Sequence, residues 1–379
     1  MNAFSVEMRS TRDDSAEDHS FVTLDKEMLL ALIDDLTAKR SLRAIRRMTD
    51  DLKQAVTAEG NNGNNKVAPI LSAGNGNAVR LRRDVLASEL DQILEARTIE
   101  RARYYLKRLG RGLEREKTSG INDINLMRWK EYEDVITDSL WTLPKRDTAG
   151  AHVAWYWGNF VPQIPRQLML RYTKKGDWVL DAFAGSGTTL IECRRLGRNG
   201  VGVELNRKVA RKAAAIVAQE DNPHAVVTEI ITGDSRTADV AGRLDHFGKK
   251  QVQLLIMHPP YHDIIGFSED KKDLSTAATT EEFLKLFGEV VDNLSPIVER
   301  GRHLALVIGD KYSKGEWVPL GFQCMNEVLA RGFLLKSVVV KNFEETRAKR
   351  DQKQLWRYRA LAGGFYIFKH EYIFLFKKR

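Results

Sequence analysis

The stretch "VLDAFAGSGTTLIECRRLGRNGVGVEL", residues 179–205, decides the fold. It opens as an apolar strand, ends that strand at Asp181, and passes through Gly185-Ser186-Gly187 into a helix that starts at Thr188. A second apolar strand, "GVGVEL", follows and carries Glu204 near its end. Glycines in such a turn let the backbone approach a ligand closely, and the helix start offers N–H groups without intrahelical partners. The acid at the end of the second strand stands where nucleotide-binding α/β units hold ribose hydroxyls. A tight strand-to-helix turn with no ligand would need only the glycines, not the acid. The loop matches neither phosphate-binding template: it is not G-x-x-x-x-G-K-[ST], and it lacks the third glycine of G-x-G-x-x-G. An adenosyl ligand without phosphates fits it better than NAD or ATP.

The same alternation extends on both sides. "AVVTEIITGD", "VQLLIMH", "LALVIGD", "LLKSVVVKNF" and "HEYIFLFKK" read as strands. Helical stretches such as "NRKVARKAAAIVAQE", "TEEFLKLFGEVVDNLSPIVER" and "PLGFQCMNEVLARG" separate several of them. Strand–helix alternation of this kind predicts a doubly wound, mostly parallel, Rossmann-like α/β sheet over residues 150–379. Residues 21–149 read as a helical accessory region. Thr23 is the candidate N-cap of its first helix, Leu29, Leu32, Ile33 and Leu36 form an apolar stripe, and a second helical region runs from about Val79 to Lys117. Between them the Gly/Asn-rich stretch 60–77 reads as a flexible linker. The first 20 residues are polar and partly acidic, and are expected to be a disordered tail.

Composition excludes several classes. The chain is 43% hydrophobic and 29% charged, as soluble globular proteins are. It holds no apolar run near the ~20 residues of a membrane span, and its start lacks a signal-peptide pattern. Two cysteines, Cys193 and Cys324, make neither a disulfide framework nor a thiolate metal site, so a reduced, cytoplasmic setting is expected. The net charge of +9 points to a polyanionic partner. Residues 1–150 are neutral, with 25 Lys/Arg against 25 Asp/Glu, so the excess lies in the remainder.

"MHPPYHD", residues 257–263, closes the strand "VQLLI" with two adjacent prolines. They remove two backbone donors, fix two φ angles and push the preceding residues out of the helical region. The result is a stiff, extended turn that presents Tyr261. Together, "DAFAGSGTT" and "HPPY" resemble the S-adenosylmethionine-dependent DNA amino-methyltransferases, the N6-adenine and N4-cytosine DNA methylases. In that family the glycine loop is motif I and the (D/N/S)-P-P-(Y/F/W) turn is the catalytic motif IV. "GNFVPQIPRQLMLRYTKKGD" stands where motif X does, "GDSR" resembles motif III, and "KHEYIFLFKKR" resembles the closing motif VIII strand. The resemblance covers about residues 150–379, in the order X, I, IV, VIII.

The resemblance implies a methyltransferase domain with S-adenosylmethionine as cofactor and double-stranded DNA, its target base flipped, as substrate. Asp181, Phe183, Gly185, Gly187 and Thr188 are assigned to the cofactor pocket, with Phe160 and Pro162 from the motif X segment. Glu204 is assigned to the ribose hydroxyls and Asp234 to the adenine amine. His258, Pro259, Pro260 and Tyr261 form the target-base site. An exocyclic amine is a poor nucleophile because its lone pair is delocalised into the ring. Rigidly held acceptors for its hydrogens favour attack, and an aromatic ring can stack on the flipped base. The family has Asp, Asn or Ser where this chain has His258. A neutral imidazole can accept one hydrogen bond and a protonated one none, so the usual hint about adenine or cytosine is missing.

Other features are weighed against structural explanations. His258 and His262 share a helical spacing for metal, but the prolines between them exclude a helix, and no metal site is assigned. His152, Trp155, Tyr156 and Trp157 read as packing, and His370 as a hydrogen-bonded structural residue. The segment 341–364 carries seven Lys/Arg against three acids in a connection longer than most loops. Arg347, Lys349, Arg350, Lys353, Trp356 and Arg357 are assigned to DNA contact. "RARYYLKRLGRGLER" is a second basic–aromatic stretch. A restriction-modification setting or a homodimer is compatible with the family. The rival readings are an RNA base N-methyltransferase, a protein glutamine methyltransferase and a catalytically silent nucleic-acid-binding subunit.

Overall fold

The computed structural model of the 379-residue chain describes residues 20–57, 68–71, 77–143, 145–156, 161–261, 270–313, 315–342 and 353–379. The described residues fall into two compact units, one holding 20–120 with 124–134, the other 121–123 with 135–379. No helix among the described residues is long and apolar enough to cross a membrane.

In the smaller unit an antiparallel ribbon, β1 (Phe21–Asp25) with β2 (Ala78–Arg82), accompanies four helices of twelve residues or more, beside the single-turn helix Ala68–Leu71. The four are α1 (Lys26–Ala38), α2 (Leu42–Thr57), α3 (Arg83–Leu94) and α4 (Ile99–Glu114). Their buried positions recur every three or four residues, as Leu29, Ile33 and Leu36 do on α1. The helix expected from Thr23 starts later. Val22 and Leu24 point inward from β1, and Asp25 is the cap, its carboxylate accepting from Met28 N at 2.9 Å. The region expected to be helical from Val79 begins instead as β2 and breaks before Thr98, whose hydroxyl caps α4 by accepting from Arg101 N.

The accessory region holds one core, and its end lies earlier than expected. Residues 21–57 and 78–114 share one core, including Leu24, Leu29, Ile45, Leu52, Leu81 and Leu90. The stretch 60–77 therefore joins parts of one unit and does not separate units. Most of it lies outside the described residues. The unit boundary falls near residue 135, not 149, because 124–134 belong with the helices.

The larger unit is built on an eight-stranded sheet. Its strands are β3 (Leu140–Trp141), β4 (Trp178–Asp181), β5 (Asn199–Glu204), β6 (Thr228–Thr232), β7 (Val252–Met257), β8 (Val298–Ile308), β11 (Phe333–Asn342) and β12 (His370–Lys378). A small hairpin, β9 (Lys311–Ser313) with β10 (Glu316–Val318), stands apart from it. The sheet order is β3-β11-β12-β8-β7-β4-β5-β6. Strands β4 to β8 run parallel, and β12 runs antiparallel between β8 and β11. The helices are α5 (Gln163–Tyr172), α6 (Thr188–Leu196), α7 (Arg207–Val217), α8 (Val240–His246), α9 (Thr280–Leu294), α10 (Leu320–Ala330) and α11 (Lys353–Gly363). This is the doubly wound α/β sheet expected from the alternation. From β4 the chain winds outward through β5 and β6, then returns to lay β7 on the other side of β4. Strand order reverses there, and in open α/β sheets the crevice at the carboxyl ends of the strands beside such a reversal is where ligands bind.

Candidate active site

The glycine loop leaves β4 into that crevice. Asp181 is fully buried, and its oxygens accept from Phe183 N at 2.9 Å and from the Thr189 hydroxyl. Loss of water pushes its carboxyl up to about 6, against the pull of those two bonds. Asp181 thus shapes the loop from behind, with both oxygens engaged there. Gly185 and Gly187 have φ of +50° and +81°, in the left-handed region that glycine enters without strain. Thr188 begins α6, and its hydroxyl lies 3.1 Å from that of Ser186. Phe183 is half-buried against the sheet core, and Pro162 is buried at the start of α5.

Glu204, at the end of β5, faces the same loop. One oxygen accepts from Gly185 N at 3.0 Å and the other from Asn206 N at 2.8 Å. Desolvation raises its carboxyl above the usual range, and the two backbone donors oppose that shift. Each oxygen keeps acceptor capacity for a further donor. A desolvated carboxylate with spare lone pairs, beside a glycine turn without a phosphate cradle, fits a vicinal diol on an uncharged nucleoside.

Tyr156, read from sequence as packing, lies over this loop. Its ring would stand 3.2 Å from a Cβ placed on Gly185, and the charges of Glu204 and Asp273 help burial hold its phenol protonated. The segment before it is clamped from below. Glu220 accepts from Ala151 N at 2.7 Å, buried His152 meets buried Glu192 at 2.7 Å, and Asp147 pairs with Arg195 at 3.3 Å. Tyr156 is therefore a wall of the candidate pocket. Neighbouring Phe160 and Trp157 lie outside the described residues.

The second motif arrives from β7. Ala182 N donates to Ile256 O at 3.0 Å, which ties the start of the glycine loop to the end of β7. Pro259 and Pro260 end the strand, and Tyr261 turns back over the sheet. Its hydroxyl accepts from Gly309 N at 3.0 Å and donates to Glu371 at 3.1 Å. Glu371 in turn pairs with Lys341 at 3.2 Å, both side chains being nearly inaccessible. Residues from the ends of β7, β8, β11 and β12 thus lock the Tyr261 ring. His258 meets that ring edge-on, with centroids 6.0 Å apart and planes at 89°. Desolvation pushes the imidazole below its ordinary range. Glu371 opposes this and Lys341 reinforces it. Glu371 lies in the segment likened to motif VIII and Lys341 opens the basic segment 341–364, but no sequence signal gave either of them, or Gly309, this role.

Removing the Tyr261 hydroxyl tests this lock. Tyr261→Phe leaves Gly309 N and one oxygen of Glu371 without these partners, a loss of about 1–3 kcal/mol. The thermal midpoint is expected to fall by several degrees with cofactor affinity unchanged. An unshifted midpoint would mean that the hydroxyl does not hold the ring.

The remaining assigned residues divide. Asp234, after β6, is engaged by Arg236 through several contacts of 2.7–3.1 Å, and Arg236 also reaches Glu289. His370 meets the Tyr372 hydroxyl at 3.2 Å, as a hydrogen-bonded structural residue would. On α11, Trp356 is half-buried beneath the Arg359 guanidinium and Arg357 is exposed. Arg347, Lys349 and Arg350, the side chain of Lys353, and His262 lie outside the described residues.

A DNA methylase family model of the N6/N4 amino-methyltransferases matches residues 100–215, including the glycine loop and Glu204 but ending before His258. Curated relatives agree. The Type II methyltransferase M.MjaII of Methanocaldococcus jannaschii is 39% identical over 51 residues, 14% of this chain and 10% of that protein. M.Cfr9I of Citrobacter freundii is 37% identical over 83 residues, 22% of this chain and 26% of that protein. M2.DpnII of Streptococcus pneumoniae is 37% identical over 86 residues, 22% and 30% respectively. The matches thus span from a tenth to under a third of the length of these relatives.

Proposed function

We propose that this chain, which belongs to the N6-adenine and N4-cytosine DNA methylase family, transfers a methyl group from S-adenosylmethionine to an exocyclic amine of adenine or cytosine in double-stranded DNA. The observation that carries the reading is the meeting of the two motifs. The glycine loop and the His-Pro-Pro-Tyr turn leave adjacent parallel strands at the reversal of strand order, tied by the bond from Ala182 to Ile256. One motif alone would suit many nucleoside-binding folds. Both at one crevice suit transfer between a nucleoside cofactor and a base.

S-adenosylmethionine would supply an electrophilic methyl group. Glu204 would accept from its ribose hydroxyls, Tyr156, Phe183 and Pro162 would exclude water around it, and Phe160 is assigned to the same pocket. Asp181, Gly185, Gly187 and Thr188 would keep the loop in its open, close-approaching shape. Asp234 would hold the adenine amine through acceptor capacity left beside Arg236. At the target base, His258 would accept an amine hydrogen through a neutral ring nitrogen. The carbonyl of Pro259 or Pro260 would accept the other. These acceptors are fixed by the sheet and the two prolines, so they need no reorganisation as the nitrogen becomes tetrahedral. Tyr261, held by Glu371 and Gly309, would stack on the flipped base. Arg347, Lys349, Arg350, Lys353, Trp356 and Arg357 would contact the duplex.

Transfer of labelled methyl groups to duplex DNA, RNA and protein, measured side by side, tests the reading. Label in DNA, on an exocyclic nitrogen, is expected. Label in RNA or protein alone would overturn it, and so would cofactor binding with no transfer to any acceptor.

A further inference from the structure

Residues 1–150 are neutral in total, but charge is unevenly placed within the smaller unit. Residues 39–47 and 97–111 together carry eleven Lys/Arg and one acid, Glu100. The fold brings the two segments together. Arg46 donates to Ala96 O at 2.9 Å, and Arg103 donates to the carbonyls of Thr37 and Lys39 at 2.9 Å each. Those two arginines act as struts. Around them Arg40, Arg43, Arg47, Arg97, Arg101 and Lys107 are exposed, and none pairs with a carboxylate among the described residues. Of the acids nearest in sequence, Asp35 is taken by Lys39 at 2.8 Å and Asp50 accepts from Gln54 at 2.9 Å, while Asp51, Glu95 and Glu100 form no ion pair with these cations among the described residues.

Helix stability does not account for this placement. Arg43, Arg46 and Arg47 lie in the first two turns of α2, where the macrodipole disfavours cations, and the first turn has no acid. Arg101 lies over the rings of Tyr104 and Tyr105, at 5.3 and 4.8 Å, and Tyr104 is 49% exposed. An unpaired cationic surface stiffened by arginine–aromatic contacts costs self-repulsion unless a polyanion neutralises it.

We infer that this joined face of α2 and α4 binds the phosphate backbone of duplex DNA and holds the substrate independently of its sequence. The inference rests on the DNA-methylating reading for its choice of polyanion. Guanidinium groups suit phosphate oxygens, and contacts from side chains to phosphates position a duplex without reading bases. Among the described residues the face presents no large apolar area of the kind a protein partner would bury. Its one large exposed ring, Tyr104, sits among cations.

The test uses the full-length chain and the variant Arg43→Gln/Arg97→Gln/Arg101→Gln. Affinity for a duplex without a preferred site is measured against salt concentration, and cofactor affinity is measured by calorimetry. Each phosphate contact contributes about 0.9 to the slope of log affinity against log salt. The variant is expected to lose roughly 2–3 units of slope and on the order of 10²-fold or more in affinity at 0.1 M salt. Its thermal midpoint and cofactor affinity should stay put. Wild-type slope in the variant overturns the inference. So does equal weakening at all salt concentrations. No DNA binding by the wild-type chain would instead overturn the proposed function.

Discussion

Gly185→Asp is expected to abolish S-adenosylmethionine binding while leaving the protein folded. Gly185 N already donates to Glu204 at 3.0 Å, so the new carboxylate would stand close to an existing desolvated one. Two like charges about 5 Å apart repel by about 3 kcal/mol at an effective dielectric of 20. That repulsion is present with or without ligand, and it lowers affinity by driving the Glu204 carboxylate from the position proposed to hold the ribose hydroxyls. The added side chain also starts 3.2 Å from the Tyr156 ring, on the side where the cofactor is proposed to lie. Placing a side chain at φ +50° costs roughly 1–2 kcal/mol, a fall of a few degrees that melting would register separately. Calorimetry should find no measurable binding. Affinity within three-fold of wild type would remove the loop from the cofactor site. Gly187 is a poorer probe, because a Cβ there would meet Val217 at 2.7 Å. Asp181→Ala is poorer still, since it strips partners from Phe183 N and Thr189 inside the fold.

His258→Phe should lower the turnover rate by about 10²–10³-fold, the usual cost of removing a positioned hydrogen-bonding group that acts in the transition state. The wild-type rate should also fall in acid. Only the neutral imidazole accepts, and burial lowers the folded pKa from its ordinary value near 6.5. The acceptor form therefore predominates at pH 7. Activity should hold steady above about 6.5 and decline at a midpoint below it. Glu371 raises the imidazole pKa and Lys341 lowers it, so the two charged groups of the buried pair pull the midpoint in opposite directions. His258→Asn keeps an acceptor that does not titrate in this range. It should retain substantial activity and lose the acidic limb. A His258→Phe enzyme with wild-type rate and pH profile would show that this side chain does not touch the amine.

Much of the candidate site was legible because its parts are local. A glycine turn between strand and helix, an acid closing the next strand and a double proline after an aliphatic run each act within a few bonds. The constraints of φ, missing donors and side-chain alternation operate there whatever the rest of the chain does. Residues 179–205 and 257–261 accordingly placed the fold class and the crevice. The start of α1 was misread for the converse reason. Phe21–Asp25 is too short for its period-two burial to stand out, and it is a strand because β2 pairs with it from 57 residues away. The domain boundary moved because residues 124–134 carry no local mark of the helical core they join.

What the sequence by itself determined was local: a glycine turn closed by an acid, a rigid double-proline turn that presents Tyr261, and His258 where the DNA methylases it resembles have an acid, amide or serine. The tertiary structure alone decided what surrounds them. Tyr261 is held by Gly309, Glu371 and Lys341, and those partners meet because β12 is inserted antiparallel between β8 and β11. Tyr156 covers Gly185 because Glu192, Arg195 and Glu220 anchor the segment before it. The cations of 39–47 and 97–111 form one face because Arg46 and Arg103 bridge α1, α2 and α4. Each is an electrostatic or packing term between residues distant in sequence, and its sign depends on strand order and helix contact, which only the folded chain supplies.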